Sequence, residues 1–250
     1  MKLLPFGCLV VPTVEQLIKI DEKNLALIEE LRPARRNTNL RTHIAFHDAV
    51  TRALAFRLML RFALRVATIL PLLASIFEQL DCTVDLPEKS SRGRRGGLPA
   101  IITRAAKAEL HSYRLHCTAL RRKLSSLYFR GTAMQWLTDV INHRNVPLLA
   151  LIQEHGVPNY LGTHMVLTET NKTARVANDF GRKWTENALR LKRCSSCDTD
   201  RVMRHEVEDQ KANSTAADSS EHIWIARTSE VIDAVNAQIF KKPLTGLRSS

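Results

Sequence analysis

The chain has 250 residues, 44% hydrophobic and 25% charged, ordinary proportions for a globular protein that exclude wholesale disorder. Nine glycines and nine prolines are too few for a collagenous or linker-dominated chain. The unusual quantity is charge: 37 Lys and Arg against 25 Asp and Glu leave +12, which on a folded chain favours an anionic partner, either nucleic acid or an acidic membrane face.

Met1 to Pro12 superficially resembles a signal peptide. Its apolar run is short, is broken by Pro5 and Gly7, and has no small-x-small cleavage site. A short strand over 9–12 is the expectation. Val14, Leu17, Ile18, Leu25, Ile28 and Leu31 keep helical spacing and predict a helix over 13–32, ended by Pro33. Residues 35–39 read as a polar loop. A long helical region is expected from 44 to 80, most apolar over Ala53–Phe77, with Arg57, Arg61 and Arg65 stacked at four-residue spacing. That pattern predicts an amphipathic core helix with a cationic edge; the alternative is an interfacial helix on anionic lipid. Three arginines and Pro71 argue against a membrane span, and the uninterrupted apolar run Val66–Phe77 is too short for one.

Asp85 to Pro99 is rich in Pro, Gly, Ser and Arg and is predicted to be a flexible basic linker. The expected organisation is an N-terminal helical or remnant α/β region over 1–85, the linker over 86–100, a helical DNA-binding region over 101–205 and an acidic mobile tail over 206–250. Helices are expected over 101–129, from a Thr132 cap to 143, and from Pro147 to His155 with Gly156 past its end. Two more are expected over Asn171–Phe180, closed by Gly181, and over Glu186–Arg193, capped by Thr185. Residues 223–240 form one last strand or helix. The predicted fold class is mainly α: a short N-terminal strand–helix remnant, long helices, and a C-terminal helix-turn-helix-like module.

Charge is uneven. Between Glu88 and Arg130 there are eleven basic and two acidic residues, and between Lys172 and Arg204 nine and four. From His205 to Phe240 there are two and seven. The middle of the chain and the 172–204 segment therefore carry the anion-binding potential. On a helix after Thr185, Ala188 and Leu191 are placed to pack inward, and Asn187, Arg190, Lys192 and Arg193 to point outward. Asn and Arg match adenine and guanine edges, while Lys183 and its neighbours suit phosphates. A short helix, a glycine turn and a basic helix make a helix-turn-helix layout; two surface helices with a solvated basic face are the alternative. Tyr113, Tyr128 and Phe129 interleave with arginines, either as core anchors or as a stacking surface for a single strand.

Five cysteines, Cys8, Cys82, Cys117, Cys194 and Cys197, are odd in number and scattered, which fits a reducing compartment, the cytoplasm (nucleoid) or the nucleus. Cys194-x-x-Cys197 is half of a zinc site, with His205 and His164 as remote further ligands; two unbound thiols are the other reading. His43 and His47 are four apart without the Glu of a His-Glu-x-x-His motif, and read as a surface or helix-start pair. No phosphate-binding loop, dinucleotide fingerprint or Gly-x-Ser-x-Gly elbow occurs. No cofactor is expected unless zinc occupies the cysteine pair.

Gly156-Val-Pro-Asn-Tyr-Leu-Gly162, followed by Trp184-Thr-x-x-Ala-Leu-Arg190, resembles the C-terminal DNA-binding region of serine site-specific recombinases of the resolvase/invertase type. Leu9–Lys19 is similar to that family's strand followed by Leu-Asp-Arg-Leu-x-Arg. Arg92, Arg94 and Arg95 are similar to its basic arm, which enters the minor groove. The resemblance implies duplex DNA binding. The Tyr-x-Arg-x-Ser nucleophile block has no counterpart. Gln16 and Lys19 stand where the family has transition-state arginines, and 163–181 is an insertion. The expectation is a truncated relative that binds DNA without cleaving it, with no catalytic residue of its own. Its expected partners are duplex DNA and a second copy of the chain. An anionic membrane surface, or sequence-tolerant RNA, is the alternative.

Overall fold

A computed structural model describes residues 11–34, 36–70, 72–78, 83–85, 99–171, 179–194, 199, 202–203 and 217–247. The protein is mainly helical. At its centre is α2 (Leu40–Arg61), with sixteen of its twenty-two residues buried. A helix buried around most of its circumference has no broad solvent side and is surrounded by its neighbours. α1 (Val14–Leu31) packs along it, and so do α4 (Arg104–Ser126), α6 (Thr163–Asn171), α7 (Phe180–Leu191) and α8 (Ala217–Asn236). α5 (Thr132–Ile141) lies against α4.

The predicted helix over 13–32 is α1, and its start follows from chemistry the sequence displays. The Gln16 N–H donates to the Thr13 hydroxyl at 3.2 Å, and the Thr13 N–H donates to the Gln16 side chain at 2.9 Å, a reciprocal capping box. Asn39 caps α2 and Thr103 caps α4 with a single bond each, accepting the Arg41 and Ala106 N–H groups.

The region expected as one helix from 44 to 80 breaks after Arg61. Ala63 takes φ 51°, and the Leu64 N–H reaches back 2.9 Å to the Met59 carbonyl, closing α2 without a glycine. A single turn, α3 (Val66–Ile69), and a 3₁₀ turn (Ala74–Glu78) follow. Beyond them β1 (Thr83–Asp85) pairs antiparallel with β2 (Pro99–Ile101), Thr83 opposite Ile101. The two ends of the predicted linker are thus held side by side, and residues before and after it share one hydrophobic core. Arg92, Arg94 and Arg95 lie outside the described residues.

The expected helix over 147–155 is a β-hairpin. β3 (Ala150–Ile152) pairs antiparallel with β4 (Pro158–Tyr160), and Leu148 to Ile152 are all buried. Five consecutive apolar residues suit a strand buried on both faces, and here length and the flanking turn outweigh helix propensity. Gly156, at φ 77°, makes the turn, so the glycine-Val-Pro patch matched to recombinases is the return strand of a hairpin. Thr132 does not cap α5. The position before the helix belongs to Gly131, and the Gly156 carbonyl accepts the Ala133 N–H at 2.8 Å.

Gly131 and Gly156 touch backbone to backbone: a Cβ on Gly156 would stand 2.6 Å from the Arg130 carbonyl oxygen. Gly156→Ala therefore combines a left-handed backbone with a clash against main chain. It is expected to cost at least about 2 kcal/mol, read as a lowered thermal midpoint.

Residues 217–222, expected to be mobile, belong to α8, and 223–236 continue it as a helix. After α8 a strap of irregular chain over 241–247 crosses the helices. Arg32 donates to the Thr245 and Gly246 carbonyls, and Ser112 donates to the Leu244 carbonyl. No described helix is long and apolar enough to cross a membrane.

Candidate nucleic-acid interface

The rotation of α4 is set from inside. Its single carboxylate, Glu109, accepts from Arg57 Nη1 at 2.9 Å, Arg61 Nε at 2.7 Å and Arg61 Nη2 at 2.9 Å. Arg57 is fully buried and also donates from Nε and Nη2 to the two Asp21 oxygens, each at 2.8 Å, and from Nη2 to the Lys242 carbonyl at 2.9 Å. Both guanidinium carbons stand 4.9 Å from the centre of the Phe240 ring. Two cations and two carboxylates thus form an enclosed quartet joining α1, α2 and α4, and at its edge Arg61 Nη1 lies 3.7 Å from the Asp233 carboxylate of α8. Burial pushes the Asp21 carboxyl up from its ordinary pKa, against the lowering effect of Arg57. The predicted cationic edge of α2 is absent: Arg57 and Arg61 face inward, and of the three arginines only Arg65 is exposed. A lipid-binding face built on Arg57, Arg61 and Arg65 loses two of its three charges to internal partners.

A second buried cluster lies further along α2 and α4. The Leu247 N–H donates to His116 Nδ1 at 3.0 Å, and His116 Nε2 lies 3.1 Å from His47 Nδ1. His47 Nε2 lies 3.0 Å from the Ala150 carbonyl. Because Leu247 must donate, His116 carries its proton on Nε2 and passes it toward His47, which donates onward to Ala150. Both rings are neutral and satisfied. Burial holds His47 down to about 4 and His116 well below the ordinary histidine value. His43 and His47 stand in the first turns of α2, as a helix-start pair would, but not on the surface. Both are buried, and His47 is bonded to a residue 69 positions away. Tyr113 and Phe129 are core residues, whereas Tyr128 is exposed.

With Glu109 drawn inward, the outer face of α4 holds cations and no carboxylate. Arg104, Arg121 and Arg122 are exposed, and Lys107 and Arg114 are half-buried. Their spacing puts them within about a third of the helix circumference and along about 27 Å of its length. Arg121 donates to the Thr138 hydroxyl at 2.7 Å, and Arg114 Nη1 meets His143 at 3.1 Å, so α5 steadies two members of the row.

The segment matched to a recognition helix is arranged differently from the expectation. α7 begins at Phe180, not after Thr185. Gly181 is inside it, where a Cβ would stand 2.8 Å from the Met59 carbonyl oxygen. The glycine marks a close crossing of α7 over the end of α2, and no turn. Thr185 is buried, and its hydroxyl donates to Gly181 or Leu60 carbonyls. Trp184 is buried as well, so the N-terminal half of α7 is core. Lys183 pairs with Asp179 at 3.6 Å and Arg190 with Glu186 at 2.7 Å. Asn187, Lys192 and Arg193 are exposed, and Leu191, expected inward, is 84% exposed. The free end of α7 is its C-terminal turn. Asn171 ends α6, and 172–178, where the first helix of the layout was expected, lie outside the described residues.

Cys194 is half-buried, and Cys197 lies outside the described residues. Among the described residues no group of three or more His, Cys, Asp or Glu could hold a metal ion. Cys117 is buried, and burial pushes its thiol up to about 12.

The sequence reading missed the inward turn of Arg57 and Arg61. A usable signal was present: Leu54, Ala55, Phe56, Leu58, Met59 and Leu60 fill every other direction around them, leaving no polar face for the arginines to occupy. No family model, curated protein or solved structure matches this chain.

Proposed function

We propose that this protein binds duplex DNA without cleaving it, holding phosphates along the outer face of α4. The observation that carries the reading is the row of cations on that face, from which the helix's one carboxylate has been withdrawn into the quartet. Such a row gives sequence-tolerant attraction to a polyanion and releases counterions on binding. Arg92, Arg94 and Arg95, which precede α4 in sequence, extend the same positive segment. Asn187, Arg190, Lys192 and Arg193 add contacts from the C-terminal turn of α7. The N-terminal turn of a recognition helix normally reads bases. With that turn of α7 packed on α2, phosphate contact rather than base readout dominates here. We propose kinship with serine recombinases alongside it, and the binding reading does not depend on that kinship. A nucleoid or nuclear location would follow from it.

The test is a salt titration of affinity for a duplex. The logarithm of affinity is expected to fall linearly with the logarithm of salt. Reversing Arg121 and Arg122 to glutamate is expected to weaken binding at least about tenfold at low salt and to flatten the slope by about two contacts. Arg190→Ala with Lys192→Ala is expected to change affinity less and sequence preference hardly at all. Affinity indifferent to salt and to both α4 reversals would reject the reading.

A further inference from the structure

α4 closes on Tyr128, whose φ of 56° lies in the left-handed region. The Phe129 N–H reaches back 3.0 Å to the Leu124 carbonyl and the Tyr128 N–H 3.1 Å to that of Ser125, the hydrogen bonds of a Schellman turn. Glycine is the favoured residue at this place, because a Cβ there crowds the following carbonyl. Tyr128 accepts that strain and returns almost nothing to the core, since it is 86% exposed. His143 ends α5 with the same backbone, φ 57°, but its ring packs on Phe77 at 5.3 Å and meets Arg114. Contacts explain His143. They explain neither Tyr128 nor the exposed Arg193 that ends α7 at φ 58°, and of those two only Tyr128 presents an aromatic face.

Position offers an explanation. Tyr128 stands at the end of the α4 cation row, six residues after Arg122 and two before Arg130, both exposed. The contact between Gly131 and Gly156 sets the hairpin turn next to it, with Val157 half-exposed at that turn. The nearby carboxylate of Glu154 is paired with Arg41 at 3.3 Å. A flat aromatic face in solvent beside arginines accepts an unpaired base on the ring and its phosphate on a guanidinium, whatever the base.

We infer that Tyr128 is a stacking platform for an unpaired base at the point where a strand held along α4 leaves the duplex. The preferred ligand is then a duplex with a single-stranded tail. This rests on the phosphate-binding reading of α4 and adds a junction preference to it.

The experiment compares the full chain's affinity, by fluorescence anisotropy at one moderate salt concentration, for a blunt duplex and for the same duplex with a short tail. The wild type is expected to favour the tailed duplex by about tenfold, one stacked base's worth. Tyr128→Phe keeps that preference, because the ring remains. Tyr128→Gly brings the tailed duplex down to the affinity of the blunt one while raising the melting temperature by about 2 °C, as strain is relieved. Higher stability with a lost preference is a pairing that a merely structural tyrosine does not produce. Equal binding of the two duplexes by the wild type, or a preference that survives in Tyr128→Gly, overturns the inference while leaving the α4 reading intact. Absence of binding to either duplex overturns both.

Discussion

Arg57→Ala is expected to lower the unfolding free energy by about 3–5 kcal/mol, a large share of the roughly 5–15 kcal/mol that holds a domain together. The fully buried guanidinium serves Asp21, Glu109 and the Lys242 carbonyl at once. Alanine leaves Asp21 enclosed without its donor and the part-buried Lys242 carbonyl without its own, and removes a cation from the Phe240 ring. Lysine restores charge but presents a point rather than a fork, so Arg57→Lys is expected to recover less than half of the loss. Removing the pair together, as Arg57→Met with Asp21→Leu, leaves Arg61 and Glu109 matched and is expected to recover most of it. Urea denaturation of the three variants, with the slope checked for constancy, makes the comparison. A loss below about 1 kcal/mol in Arg57→Ala would mean that water reaches the quartet.

Acid is expected to destabilise the protein through the histidine pair. In the folded state His47 titrates at about 4, whereas an unfolded histidine takes up its proton near 6.5. The unfolded chain binds more protons across that window. Stability is therefore complete above about pH 6.5 and is lost as pH falls toward about 4, amounting to about 3 kcal/mol from His47 alone. His116 acts in the same direction, its pKa lowered first by burial, then by repulsion from His47 once that ring is protonated, and by the Arg32 cation. Protonating His116 also removes the acceptor for the Leu247 N–H, so the strap over 241–247 loosens with it.

Asp48 opposes this effect. Burial raises its carboxyl to about 6, against the lowering influence of the Ile152 N–H and Arg52. Its contribution is greatest when it is protonated and is lost as pH rises toward about 6. Asp48→Asn keeps an acceptor for Ile152 and deletes the opposing titration. That variant is expected to show a steeper fall in denaturation midpoint between about pH 7 and about pH 5 than the wild type. Equal slopes in the two proteins would show that Asp48 is ionised throughout.

Local chemistry made several elements readable in advance. α1 was marked by the Thr13–Gln16 box and by Pro33, and α4 and α5 by apolar spacing around a glycine break. The charge excess over Glu88–Arg130 was equally plain. The misreadings share a cause. In sequence, Gly156 and Gly181 both look like helix-ending glycines. One turns a hairpin at φ 77°, and the other lies inside a helix because α7 crosses the α2 backbone there. A missing Cβ looks the same in sequence whether it permits a turn or a close approach. Leu148–Ile152 could be a buried helix or a buried strand by apolarity alone, and pairing with 158–160 decides it.

Helical content, the places where helices start, and the concentration of cations along the middle of the chain were settled by residue order, since each depends on neighbours a few positions away. Which way α4 faces was not. Periodicity says that Arg104, Lys107, Arg114 and Arg121 share a side, but not whether that side meets solvent or another helix. Arg57 finds its carboxylates 36 and 52 residues away, and His47 its partner 69 away. An enclosed charge is tolerable only against an opposite charge brought to it by the fold. Packing therefore assigned Glu109 to the interior, and by doing so it left the outer face of α4 to the cations.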